Sequence, residues 1–145
     1  MRLFATLGIS GSALTAQRLR MDIIANNLAN VDTTRTASGE PYRRMVPVFA
    51  PLSNRAFADL LAEARGTASL GGVKVTAIRP DPSPFKLKYD PGHPDAGPDG
   101  YVRLPNVDAA TEMVDLISAT RSYEANVTAL NAAKAMFLKA LEIGR

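Results

Sequence analysis

A chain of 145 residues, 46% of them hydrophobic, is long enough for one domain with a core of its own. Its net charge of +3 comes without any stripe of Lys and Arg interleaved with aromatics, which argues against nucleic acid as a partner. The absence of cysteine excludes disulfides and thiolate chemistry, and no run approaches the roughly 18 apolar residues of a membrane span.

The first segment carries Leu3, Leu7, Ser10, Leu14, Gln17, Met21, Ile24, Leu28 and Val31 at alternating steps of three and four, and most of them are apolar. This predicts a helix over residues 1–31 with one face made for another helix. Gly8, Gly11, Asn26, Asn27 and Asn30 are poor helix-interior residues. The helix is therefore expected to be capped by Ser10 or Ser12, with residues 1–9 a separate turn ordered by a partner. Asn26 and Asn30 form an i, i+4 amide pair beside the seam of Ile24 and Leu28, with Asn30 also suited to stop the helix. Buried amides need partners, so Asn26 and Asn27 are expected to make interhelix or interchain hydrogen bonds.

Nine of the ten prolines fall between Pro47 and Pro105, so residues 32–105 read as a small β-rich insert. Residues 32–41 are a polar loop, and residues 42–49 an edge strand, since Pro47 cannot donate to a ladder. Asn54 to Arg65 has the pattern of a short amphipathic helix, with Phe57, Leu60, Leu61 and Ala64 on one face. Val73 to Ile78 and Phe85 to Tyr89 alternate as strands, either of one hairpin or successive in a small sheet. In the loop at residues 90–100, His93, Asp90, Asp95 and Asp99 invite a metal or catalytic reading. A single histidine with no cysteine and no metal-ligand spacing does not sustain it, and no nucleophile signature accompanies it. The prolines and glycines there instead predict a rigid turn leading through Tyr101 to Leu104 into the last helix.

Residues 106–145 predict that helix, with Asn106 as cap, Asp108 and Glu112 favouring its positive end, and Gly144 just past its close. Its heptad seam is Met113, Leu116, Thr120, Tyr123, Val127, Leu130, Lys134, Phe137 and Leu141. The face away from the seam is rich in alanine rather than charge, which invites close approach by further helices. Arg121 and Glu124 read as surface charges or intersubunit pairs. The fold expected is α+β and mainly helical: two long terminal helices as an antiparallel, coiled-coil-like pair, with the β-rich insert between them.

Several stretches resemble the bacterial flagellar basal-body rod family, at its proximal-rod branch. They are Ser12-Ala-Leu-Thr-Ala-Gln-Arg, Ile24-Ala-Asn-Asn-Leu-Ala-Asn-Val-Asp-Thr33, Tyr89-Asp-Pro-Gly-His-Pro-Asp-Ala96 and Gly100-Tyr-Val-Arg-Leu-Pro-Asn-Val-Asp108, followed by Glu112-Met-Val-Asp115 and Arg121-Ser-Tyr-Glu-Ala-Asn126. The resemblance implies a structural subunit of the rod, the periplasmic drive shaft, polymerising through its terminal helices and catalysing nothing. It implies export by the flagellar type III apparatus without a cleaved signal peptide, partners among other rod proteins and copies of the same chain, and no cofactor, metal, nucleic acid or small-molecule substrate. The assembly interface expected comprises Leu7, Leu14, Met21, Ile24, Asn26, Asn27, Leu28 and Asn30 at the front. At the back it comprises Met113, Leu116, Arg121, Tyr123, Glu124, Val127, Leu130, Phe137 and Leu141. The alternative is a helical adaptor or binding module that does not polymerise.

Overall fold

Both ends of the chain are helical, as the apolar spacing requires, and short strands fill the middle. A computed structural model describes residues 2–52 and 71–143. The elements in order are α1 (Arg2–Ala29), β1 (Met45–Leu52), β2 (Gly72–Pro80), β3 (Lys86–Tyr89), β4 (Tyr101–Leu104) and α2 (Ala109–Ile143). This is the α+β class expected, two long helices with a small β region between them. The predicted helix at residues 54–65 and the terminal role of Gly144 lie outside the described residues.

The chain forms two compact units, and each takes a part of both helices. The first comprises residues 1–19, 48–77 and 119–145. Within it, α1 is continuous through Gly8 and Gly11, so the expected break before Ser10 or Ser12 is absent. Among the described residues nothing lies within 4 Å of where a Cβ would be on either glycine. Ser12 does not cap the helix: its hydroxyl donates to the Ile9 carbonyl (2.7 Å) and accepts from the Val73 amide (3.0 Å), tying α1 to β2. Gly72 permits that approach, because a Cβ there would lie 2.2 Å from the Ser12 Oγ.

The second unit comprises residues 20–47 and 78–118. Here α1 and α2 are antiparallel: Arg20 meets Asp115 and Asn27 meets Glu112, so one helix advances as the other retreats. The strand pairing differs from the expectation, which puts β2 and β3 in one hairpin or successively in one small sheet; they belong to separate two-stranded sheets. β2 pairs with β1, and β3 pairs antiparallel with β4 in the register Lys86↔Leu104 to Tyr89↔Tyr101. The physical reason lies in the connectors. Residues 81–85, with Pro82 and Pro84, make no backbone turn bond that would return the chain beside β2, while the 90–100 loop folds back on itself. In that loop Asp90 N donates to Gly100 O (3.0 Å), Gly97 N to Tyr101 O (2.9 Å), and Gly100 takes φ +75°. Tyr101 to Leu104, expected only as a lead-in, is thereby a strand, with Val102 buried beneath it.

Helix α2 starts three residues later than expected. Asp108 is its cap, accepting from the Ala110 amide at 3.1 Å, while Asn106 is committed elsewhere. Its inward line runs Glu112, Leu116, Ala119, Tyr123, Val127, Leu130 and Ala133, which keeps the middle of the predicted seam and loses its ends. Met113, Thr120, Lys134, Phe137 and Leu141 are exposed. A strict seven-residue repeat drifts by about 20° per heptad on a straight helix, and four of these five sit at or near the ends of the seam.

Candidate functional site

The inward residue of the first turn of α2 is a carboxylate, Glu112, and it is wholly buried. A buried charge persists only if it is paired and hydrogen-bonded. Glu112 is both: Oε1 accepts from Arg44 Nε at 2.5 Å and Oε2 from Asn27 Nδ2 at 3.1 Å. Arg44 stands just ahead of β1, and its guanidinium reaches on to Asp115 (3.2 Å) and Asp81 (3.6 Å). Arg20 on α1 closes the cluster by donating to the other oxygen of Asp115 at 3.1 Å.

Asn27 completes the node. Its amide Nδ2 also donates to the Met45 carbonyl (2.9 Å), while Oδ1 accepts from the Met45 amide (2.9 Å) and the Tyr42 hydroxyl (2.9 Å). The side chain thus meets the start of β1 as a neighbouring strand would, and all four of its hydrogen-bonding positions are filled. Asn106 does similar work: its carbonyl accepts from Arg44 N (2.8 Å) and its amide donates to the Asp81 and Ser83 carbonyls (3.2 Å each). One polar cluster thereby joins the end of α1, the start of β1, the segment after β2 and the start of α2.

Its electrostatics follow from these contacts. Burial alone would lower the Arg44 guanidinium, but the hydrogen bond and charge of Glu112, then Asp115 and Asp81, outweigh it and hold the group above its ordinary value. Burial raises Tyr42, and the charge of Glu112 adds to that. Hydrogen bonds from Ser83 lower the Asp81 carboxyl, with Arg44 contributing. A carboxylate depressed in the folded state contributes stability above its unfolded value that is lost as pH falls through the folded one. Acid unfolding is therefore expected to have a component below about pH 3.8 that Asp81→Asn removes. Titrating the urea midpoint of both proteins between pH 5 and 2 checks this; parallel curves would refute it.

The 90–100 loop is built of turn bonds. His93 Nδ1 accepts from the Asp95 amide (3.1 Å), Asp95 accepts from Thr34 Oγ1 (2.8 Å), and Arg35 stands 3.7 Å from Asp95. Among the described residues no group of three or more His, Asp or Glu side chains is placed to hold a metal.

Of the residues expected at an assembly interface, Ile24 and Asn27 are buried within the chain. Leu7, Leu14, Met21, Leu28, Asn30, Leu116, Tyr123, Val127 and Leu130 are half-buried. Asn26, Met113, Arg121, Glu124, Phe137 and Leu141 are exposed. The amide pair forms as spaced, Asn30 Nδ2 donating to Asn26 Oδ1 at 2.8 Å. Asn27 finds its interhelix partner in Glu112. Sequence reasoning missed Glu112, Asp115, Arg44, Asp81 and Tyr42 as a cluster. The one signal for it is Glu112 and Asp115 at i, i+3, on the side of the helix that faces inward. Beyond Ala133 every residue of α2 up to Glu142 is exposed, including Met136, Leu138 and Leu141 at 61%, 50% and 56%.

The node joins two segments that have recognisable relatives. Residues 7–35, which hold Asn27, match the family described as flagella basal body rod protein. Residues 99–143, which hold Glu112 and Asp115, match the family described as flagellar basal body rod FlgEFG protein C-terminal. Over 151 aligned positions the chain is 54% identical to the flagellar basal-body rod protein FlgC of Bacillus subtilis (strain 168), with all of both proteins covered. It is 49% identical to FlgC of Borreliella burgdorferi, over 99% of this chain and 98% of the relative. Identity to FlgC of Escherichia coli O157:H7 is 44%, again over the full length of both.

Proposed function

The chain belongs to the FlgC family of flagellar basal-body rod proteins, and we propose that it polymerises through residues 1–31 and 106–145 into the proximal rod that carries motor torque across the periplasm. It is a structural component of the flagellar rod and not an enzyme. Its partners in the rod are other rod subunits and copies of itself, reached after export by the flagellar type III apparatus without a cleaved signal.

The observation that carries the polymerising reading is the closing stretch of α2, whose last turns expose large apolar side chains, Met136, Leu138 and Leu141 each by half or more. Such a stretch is favourable only when other surfaces cover it, and contacts between unlike patches that do not close give helical assemblies. The node supplies the second requirement of a shaft: it fixes the ends of both helices to the β region by charge-assisted bonds, which hold their geometry better than apolar contact alone. Basal bodies purified from the cell that makes this chain should contain it in the rod, in several copies. A complete rod without it would sink the proposal.

A further inference from the structure

The β3–β4 hairpin carries an outward face whose large side chains stay exposed. Opposed residues of an antiparallel pair share a face, so Leu87 with Arg103 and Tyr89 with Tyr101 lie together on one side. The other side is anchored through Val102, which is 2% exposed. On the outer side Leu87 is 66% exposed, Tyr89 64% and Tyr101 49%, a contiguous patch rather than scattered single residues.

The patch is also held rigid. The two tyrosine rings meet edge to face at 5.2 Å, and the Arg103 guanidinium stacks on the Phe85 ring at 5.0 Å, with Arg43 over the same ring at 4.3 Å. Among the described residues no carboxylate stands within ion-pair distance of Arg103: Glu40 and Asp95 line a cavity with it, but Asp95 faces Arg35 at 3.7 Å and Asp90 faces Lys88 at 3.8 Å. Pre-ordered tyrosines beside a cation that forms no close ion pair of its own are the composition of a binding hot spot, and they lose little entropy on docking.

We propose that this face docks an acidic surface of a neighbouring rod subunit, one that sets a carboxylate against Arg103 and lays an apolar side chain on Leu87 and Tyr89. The inference rests on the rod assignment and adds to it a contact outside the terminal helices. The cation selects the carboxylate, and the tyrosines supply an apolar floor beside it that makes the pairing worth more than an exposed ion pair.

The test uses the full chain in cells, with the photoreactive residue benzoylphenylalanine in place of Leu87, followed by irradiation and purification of basal bodies. An adduct with a rod-subunit peptide that carries Asp or Glu beside the crosslink is the expected result. Basal bodies that contain the chain but yield no adduct, or an adduct with a peptide lacking acidic residues, with lipid or with glycan, overturn the docking proposal and leave the rod assignment standing. Absence of the chain from basal bodies overturns both. Arg103→Glu should lower the amount of chain per basal body about tenfold or more, and Arg103→Lys far less. If Arg103→Glu shifts the unfolding midpoint of the free chain, Leu87→Asp takes its place, since that side chain is two-thirds exposed. Unchanged incorporation of a folded variant refutes the contact.

Discussion

Glu112→Ala should destabilise the chain by about 3 kcal/mol, the lower end of the range for breaking a buried ion pair. The substitution strands Arg44 Nε and Asn27 Nδ2, two donors that point at the missing carboxylate, in a site where Glu112 itself has no exposure. Arg44 is 24% exposed, so water recovers part of the loss, which is why the lower end applies. Urea unfolding of the wild type, Glu112→Ala, Arg44→Ala and the double variant would measure it. The double variant should be less destabilised than the sum of the singles, because removing both partners leaves no buried charge alone. A single-variant effect under about 1 kcal/mol, or strict additivity, would show that the node contributes no more than a surface pair.

Leu141→Asp should behave in the opposite way. The side chain is 56% exposed and lies beyond the last inward residue of α2, so the free chain should lose no more than about 0.5 to 1 kcal/mol, from helix propensity and the unfavourable end of the dipole. Rod assembly and motility should nevertheless be lost, because a charge would enter whatever apolar contact covers this turn in the shaft. Melting of the purified variant beside a swarm assay of cells carrying it separates the two effects. A motile strain would remove the last turns of α2 from the assembly interface. The two substitutions thus divide the molecule: one acts inside the chain and the other only between chains.

The reason one of these residues was legible in the sequence and the other was not is physical. Leu141 belongs to a local apolar repeat, and repeats at helical spacing announce a helix wherever they occur. Glu112 announces nothing comparable. A carboxylate in the first turn of a helix is ordinarily accounted for by the helix dipole, and its partner Arg44 is 68 residues away. Asn27 stood between the two cases: an amide on an otherwise apolar face demands partners, though which partners only the fold reveals. Asn106 misled because it suits a cap as well as Asp108 does, and the Arg44 amide with the Asp81 and Ser83 carbonyls claimed it.

Strand pairing divided the same way. The alternation of Val73 to Ile78 made β2 visible, but pairing belongs to connectors, and the turn bonds of the 90–100 loop brought β4 against β3. Local periodicity and motif were enough to establish two terminal helices, a β-rich insert and membership of a flagellar rod family, since each depends on residues near one another in the chain. Tertiary structure alone decided which side of α2 faces inward, which strands pair, and that a fully buried glutamate joins both helices to the β region. Burial of a charge is stable only where distant segments converge to pair it, and no local pattern carries that information.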